Sequence, residues 1–598
     1  MPEYKSPQNE PGLDKNILLV FLLMAIAIFG AQYFFKKNAP PPPQTNTAKT
    51  VEHAPQPATV PSQPAMTAPA KTASTQKTPA KPEAPAVKQA TSESEIVVEN
   101  SLYKITFSNR GGLVKSWILK QYQDDFGKPL DMVNSAGSAK FGFPLSLWTY
   151  DEGVRNTLNS ALYVPTIIGK NGSANSTPGA QTTLQAPAEI QFEYSENGLT
   201  VLKSFRFDQT YVVDVKTSVF SNGSPIYAFP SWPSGIGDQS NPSSYEAAEF
   251  QSQENGNIQR VSVKKISSGN TLHGTYDWAG VSDPYFAAAF IPETPENLNV
   301  VTLHNSLDIA DTSKSNQTRP VDLVGIAVGH PGESRSRLYA GPKSIQVLSA
   351  VSVPAISGAD RDLRGLVNFG FFGAIARPLF VWLRWTNQYV HNWGWSIVLQ
   401  TLIITLALTP LSVYQMKSAI KMQKVQPQMK AIQEKYKKYS MRDPRKQDMN
   451  KEIGELYKRE GVNPVSGCLP LLIQLPFIYA YYRMLEVAID LRHAHWLWIR
   501  DLSAADPWFL LPILMAASMF LSQKMTPQVG MDPAQQRMMN IMMPAMMGLF
   551  FFKLAAGLNL YYAVSNLLRM GQQGIMNRTE LGREMREMAA KRARKKDK

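Results

Sequence analysis

Three sets of polar side chains interrupt otherwise apolar stretches in the last third of this 598-residue chain. Gln400, Thr401 and Thr405 break one aliphatic run, and Gln474 stands between Pro470 and Pro476 in a second. Tyr562, Asn566 and Arg569 recur at i, i+4 and i+7 in a third. Thr401 and Thr405 are one helical turn apart, and the Tyr–Asn–Arg set likewise shares one face. Polar groups at membrane depth are expensive, which makes each a functional candidate. What they offer is hydrogen bonding and one cation, not bond cleavage. Interhelical packing bonds are the plainer use of a Thr or an Asn. For any single residue the two readings stand level; a set spread over three helices favours function.

Covalent and metal chemistry find no footing. The chain has neither a G-x-x-x-x-G-K-[ST] phosphate loop nor an H-E-x-x-H helix. Its single cysteine, Cys468, excludes an intramolecular disulfide. Gly235-Ile236-Gly237-Asp238 matches the G-x-G-D pattern of intramembrane aspartyl proteases but lies in a region that reads as soluble, so chance explains it better. No cofactor, no metal and no small-molecule substrate is expected, and the chain does not read as an enzyme.

The elements that must position the polar sets follow from composition. Hydrophobic residues make up 44% of the chain and are clustered, the pattern of a membrane protein. Ile17–Phe35 is an apolar run of about the length that spans a bilayer. No small-residue cleavage site or lipid-attachment cysteine follows, so residues 1–37 read as a short inner segment and a retained anchor. Residues 38–93, rich in Pro, Ala, Thr and Gln, cannot bury a core and read as a linker, reaching roughly 40 Å as a coil. In residues 94–357 the alternation of Tyr103, Ile105 and Phe107, and of Tyr211, Val213, Val215 and Val219, has the period of half-buried strands. Asn-Gly and Gly-Gly turns punctuate the region. One large all-β sandwich is expected there, without a carboxylate pair placed for catalysis.

Residues 360–390 hold Phe371, Phe372, Phe380, Trp382 and Trp385 with Arg364, Arg377 and Arg384, which predicts a helix lying in the membrane interface, kinked at Pro378. Spans follow at about Trp393–Ser412, Val465–Leu485 and Pro507–Gln523. The apolar stretch Met538–Leu568 is too long for one span, and Ala555-Ala556-Gly557 divides it into a hairpin of two. Charge supports that division. Lys417–Glu460 carries 13 Lys/Arg against 6 Asp/Glu, and Arg569–Lys598 carries 10 Lys/Arg. Both belong inside. With the β domain outside, six spans put both termini in. Arg483 and Lys553 lie near outer helix ends and are expected to snorkel.

Five blocks carry a family resemblance, in family order. They are NWGWSIVLQT (Asn392–Thr401), KMQKVQPQMKAI (Lys421–Ile432), EGVNPVSGCLPLLIQLPF (Glu460–Phe477), LWIRDLSAADPWFLLPIL (Leu497–Leu514) and GLNLYYAVSNL (Gly557–Leu567). Together they resemble the YidC/Oxa/Alb family of membrane protein insertases, in its Gram-negative YidC form with a large periplasmic domain. Trp278–Pro292 and Leu338–Lys343 look like signatures of that domain. The resemblance implies a polytopic α-helical membrane protein of the bacterial inner membrane, N-in and C-in. It has six spans, a five-helix insertase core over residues 391–575 with a cytoplasmic helical hairpin at 413–462, a basic tail at 576–598, and a periplasmic β-sandwich.

The implied mechanism is a hydrophilic groove, open to cytoplasm and lipid, in which a nascent segment parks its polar tail while its apolar part slides into the bilayer. Gln400, Thr401, Thr405, Gln474, Tyr562, Asn566 and Arg569 are the groove candidates, and the residue pattern is compatible with that role. A slide for apolar segments is assigned to Cys468, Pro470, Phe477, Met542 and Met546, because unbranched thioethers repack around varied partners. Ordinary core or lipid-facing Met is the plainer alternative for that run. Lys417, Lys421, Lys424, Lys430, Arg442 and Arg445 are candidate contacts for a ribosome or ribosome–nascent chain complex, or a solvated face that fixes topology. Nascent membrane proteins, Sec translocon components and membrane lipids complete the implied partners.

One departure stands out. The family places an arginine five residues before the Pro that ends the second span; before Pro410 that position is Thr405. Arg569 is the candidate replacement, against the alternative that it snorkels to the inner headgroups. Two rival functions remain: a solute or ion transporter, which would show inverted repeats or paired broken helices, and a carbohydrate-binding envelope protein, which would show clustered exposed Trp and acidic residues.

Overall fold

In a computed structural model, residues 87–168, 182–237, 245–310, 318–354, 361–436, 439, 443–462, 469–525, 538–580 and 583 are described. Residues 1–86, including the apolar run Ile17–Phe35, lie outside them, as does Asp238 of the G-x-G-D match.

The N-terminal half is all strand but for short helices and turns. Among the described residues it forms sheets of five, ten and five strands and a two-stranded one, Ser352–Val353 with Arg361–Asp362. The alternation read in the sequence is the burial pattern of the strands. Tyr103, Ile105 and Phe107 are buried, as are Val213, Val215 and Val219. Three Asn-Gly pairs have both residues at positive φ, at 197–198, 222–223 and 255–256. That geometry matches the twist of a two-residue hairpin. They join Ala188–Glu196 to Leu199–Phe207, Val212–Ser221 to Ser224–Pro225 and Glu249–Glu254 to Asn257–Ser262. At the centre of the large sheet, Tyr276–Ser282, Phe286–Pro292 and Glu333–Pro342 pair antiparallel. The first two are buried at every position, as strands covered on both faces must be.

The C-terminal half is helical. Its helices are α1 (Gly373–Val390), α2 (Trp393–Ala407), α3 (Thr409–Lys435), α4 (Arg445–Arg459), α5 (Leu469–Val487), α6 (Leu510–Met525), α7 (Met543–Phe551) and α8 (Ala556–Arg578). Helix α1 starts at Gly373, later than the interfacial segment expected from residue 360. Before it come a 3-10 turn at Leu363–Leu366 and Gly370 at φ 69°, a backbone state that ends regular structure for most residues. Its buried face is Ala376, Leu379, Phe380, Leu383 and Thr386; Val381, Trp385 and Tyr389, four residues apart, face out. Pro378 sits within the helix. Helices α3 and α4 pack on a small core of their own, Val425, Met429, Leu456 and Val462.

Asn559 builds the break between α7 and α8. Fully buried, it donates from Nδ2 to the carbonyls of Phe551 (3.1 Å), Leu554 (3.2 Å) and Ala555 (3.3 Å). Backbone N–H groups of the same turn share two of these oxygens: Leu554 bonds Phe551 O at 3.1 Å and Leu558 bonds Ala555 O at 3.0 Å. Gly557 closes the turn: its N–H reaches Leu502 O at 2.8 Å, and a Cβ there would sit 3.1 Å from that oxygen.

The halves share one continuous apolar core, running from the strands through Leu363, Leu366, Val367 and Phe369 into α1, α2, α5 and α8. Charged contacts reinforce the junction. Arg492, beyond α5, bonds Asp125 Oδ1 at 3.2 Å and lies 5.1 Å over the Tyr285 ring and 5.5 Å over Phe286. Tyr285 and Phe286 belong to the signature Trp278–Pro292, and Lys343 of the other signature donates to Asp283 O at 2.8 Å. Both signatures therefore shape the platform on which the helical half docks.

Arg483 corrects an expectation. It is buried rather than snorkelling, bonded to Glu486 Oε2 at 2.5 Å and to Asn368 O at 3.0 Å. It ties α5 to the chain entering α1. Lys553 is exposed.

Among the described residues no helix is long and apolar enough to cross a membrane on its own. The apolar helices α2 and α6 have 15 and 16 residues, and α5 has 19 with Gln474, Pro476 and Arg483 inside it. The six-span count is thus not established by these helices.

Candidate functional site

The polar side chains of α2 gather on its inward-facing side, but they do not all stay available. Gln400 is fully buried, donates from Nε2 to Leu379 O at 2.9 Å and accepts from the Tyr481 hydroxyl at 3.1 Å. It joins α1, α2 and α5 with both ends of its amide engaged. Gln400 therefore stands inside the packing of these three helices rather than on an open surface. Thr401 donates to Ile397 O at 2.6 Å, Thr405 to Thr401 O at 2.7 Å and Thr409 to Thr405 O at 3.1 Å. Each hydroxyl satisfies itself on the preceding turn, the usual way a threonine lives inside a helix.

Helix α8 supplies the other wall. Tyr562 is half-buried and packs edge-on against Phe551, with ring centroids 4.9 Å apart. Its neighbour Tyr561 stacks on Tyr481 at 4.2 Å. Asn566 Nδ2 donates to Ser518 Oγ at 3.3 Å, linking α8 to α6. Arg569 is exposed and makes no hydrogen bond or ion pair among the described residues.

The residue of α8 that meets Thr405 is Gln572, three positions beyond Arg569. Its Nε2 donates to Thr405 O at 3.2 Å and to Thr409 Oγ1 at 2.7 Å. The sequence reading missed it by one turn, having stopped the Tyr562–Asn566–Arg569 face at Arg569. Carrying the same i+3/i+4 spacing one step further would have reached it.

Other candidates are scattered. Cys468 and Arg442 lie outside the described residues; Gln474 and Pro470 lie on α5, but their side chains are not described. Phe477 is half-buried. Met542 and Met546 are exposed, and with Ile541 and Leu549 they make a bare apolar stripe along the start of the Met-rich segment. Lys417, Lys421, Lys424 and Lys430 are exposed along α3. Arg445 is exposed too, yet engaged within the hairpin. It grips both oxygens of Asp443 at 3.0 Å and lies 4.0 Å over Tyr439. No group of side chains suited to a metal ion occurs among the described residues.

The fold and the site define a class: a β-sandwich domain packed onto a bundle of apolar helices whose internal contacts carry hydrogen-bonding side chains. Known proteins agree. A family model described as "60Kd inner membrane protein" matches residues 385–583, and one described as "YidC periplasmic domain" matches residues 95–382. "Membrane protein insertase YidC" of Syntrophus aciditrophicus is 31% identical over 584 residues, covering 95% of this chain and all of that one. The protein of the same name from Geobacter metallireducens is 30% identical over 595 residues, covering 95% and 99%. A solved structure titled "Active YidC insertase crystal structure with the first transmembrane domain resolved" is 20% identical, covers 83% of this chain and 95% of that one, and has a TM-score of 0.33. The chain belongs to the YidC family of membrane protein insertases.

Proposed function

We propose that the chain inserts nascent membrane proteins into the bacterial inner membrane through a polar seam between α2, α6 and α8, with the β-sandwich in the periplasm. The observation that carries this reading is the gathering of Thr405, Thr409, Asn566, Ser518, Gln572 and Arg569 along that seam, inside helices whose other faces are bare and apolar. Polar backbone in hydrocarbon leaves each hydrogen bond unmade, at several kcal/mol apiece. Fixed donors and acceptors lower that barrier. Burial of the apolar segment and the membrane potential then drive insertion without ATP.

In this reading Arg569 attracts acidic translocated tails, Gln474 and Tyr562 extend the polar lining, and the stripe at Met542 and Met546 receives apolar segments together with Cys468, Pro470 and Phe477. Helix α1 lies in the outer interface on Val381, Trp385 and Tyr389. Six spans leave both termini inside; the α3–α4 hairpin and the basic tail meet the ribosome or anionic lipid, and the periplasmic domain meets Sec components.

Purified protein in liposomes tests the core of this proposal. A single-span substrate with a short acidic tail, added without Sec or ATP, becomes protease-protected above the level of empty liposomes. Absence of protection with correctly folded protein overturns autonomous insertion and leaves a Sec-dependent chaperone.

A further inference from the structure

The corner between α2 and α3 poses a hydrogen-bond problem that the chain solves from a distance. The last carbonyls of a helix have no intrahelical donors, and α2 ends at Ala407, where the Leu408 N–H closes the final turn on Ile404 O at 3.0 Å. Thr405 O instead accepts from the Thr409 hydroxyl at 3.1 Å and from Gln572 Nε2 at 3.2 Å. Gln572 lies 167 residues away in sequence, on α8, and binds the Thr409 hydroxyl as well. One carboxamide thus spans the inner end of the seam. Its two N–H groups are both used, while Oε1, on a half-buried side chain, has no partner among the described residues.

We propose that Gln572 is the backbone-binding residue of the seam: its free Oε1 accepts from a passing peptide N–H, and its N–H pair exchanges from Thr405 and Thr409 to the peptide carbonyl. A carboxamide repeats the donor–acceptor pair of a peptide group, so it replaces in kind the bonds that a strand of substrate would otherwise lack in lipid. The exchange is neutral and leaves Thr405 O with its second donor, the Thr409 hydroxyl. Such a residue serves any polypeptide whatever its side chains, whereas the exposed Arg569 one turn away acts on charge. The two neighbours divide the work, one reading backbone and the other reading charge. This assignment rests on the insertase reading above.

Proteoliposomes carrying the full chain separate the two. The probes are two single-span substrates differing only in an acidic or a neutral translocated tail. Gln572→Met, close in volume, lowers insertion of both about tenfold, the effect of losing roughly one hydrogen bond to a buried peptide group, and leaves their ratio unchanged. Arg569→Ala lowers the acidic tail alone. Gln572→His, which keeps a donor and an acceptor, stays within about threefold of wild type and guards against a folding artefact. Gln572→Met inserting both tails like wild type overturns the assignment. So does Gln572→Met affecting only the acidic tail, or Gln572→His failing as badly as Met with an unchanged melting temperature, which would show that a donor–acceptor pair at this position is not what insertion uses. Wild type giving no protection above empty liposomes removes the insertase reading itself, and this assignment with it.

Discussion

Two charged groups deep in the β half are held differently from the polar groups along the helical seam. In the β half, Lys203 is wholly enclosed, and its ammonium donates to Gly111 O at 2.6 Å, Leu145 O at 2.8 Å and Gly112 O at 3.3 Å, with the Tyr163 ring 5.6 Å away. Asp277 takes Arg361 at 2.5 Å and the Gly256 N–H at 3.0 Å. Along the seam, Thr401 and Thr405 each donate one bond to the preceding turn of α2, Thr409 of α3 donates across the corner to Thr405 O, and the exposed Arg569 makes no bond among the described residues. Saturated polar groups fix a structure; groups with spare capacity can exchange partners. On the function proposed above, the β half is a rigid mount and the seam between α2 and α8 the working part.

The largest effect should come from breaking the saturated side. Lys203→Met strands three buried carbonyls and should destabilise the β half by about 3 kcal/mol, seen as a lower unfolding midpoint of the strand signal in circular dichroism. An unchanged midpoint would remove the distinction between mount and working part.

Arg492→Ala comes next. It deletes the bond to Asp125 and the cover over Tyr285 and Phe286, and should cost about 2 kcal/mol locally. Amide exchange should rise in the loop following α5 and in the hairpin around Asp125, while the strands beyond stay protected. If exchange rises uniformly, the junction is not a separable contact and the two halves open as one unit.

This junction shows where a sequence stops being legible. Asn-Gly hairpins and the alternating strands were readable because their signals lie within a few residues. The parallel pairing of Glu95–Glu99 with Thr182–Gln185, and the bond between Asp125 and Arg492, join residues 86 and 367 positions apart, beyond any local pattern. At the seam, residue type and spacing found the helices and most of the polar set. They could not say which face met which neighbour. Gln400 was read as lining because a buried satisfied glutamine and an open one look alike in sequence; Arg483 was read as snorkelling because Asn368 and Glu486 were not known to enclose it. Asn559 and Gln572 escaped for the same reason, since each bonds backbone carbonyls at a helix junction that only the fold brings within reach.

The pH dependence of stability sharpens the comparison further. Burial pulls the Lys203 ammonium down from 10.5 to about 7 and Lys343 to about 8. Between those values and 10.5 the unfolded chain holds protons that the folded chain has released, so folding stability rises with pH across that window. The slope due to Lys203 approaches about 1 kcal/mol per pH unit. Unfolding midpoints of the strand signal from pH 7 to 9 should climb, and Lys203→Met should flatten the climb. A fall with rising pH in the wild type would mean that the three carbonyls hold the ammonium charged in the folded state.

The smallest effect belongs to Thr405. Its hydroxyl bonds only the carbonyl of Thr401, one turn back on its own helix, and such bonds slightly loosen a helix rather than support it. Thr405→Val removes that bond while keeping the branched shape, so α2 and its contacts with α8 persist. Stability should change by less than about 1 kcal/mol. Insertion of the acidic- and neutral-tailed substrates should stay within about twofold of wild type, because Gln572 reaches the backbone oxygen of Thr405, not its side chain. A large loss with Thr405→Val would move the polar function of the seam from the carboxamide of α8 to the hydroxyls of α2, and the working part would then be α2 alone.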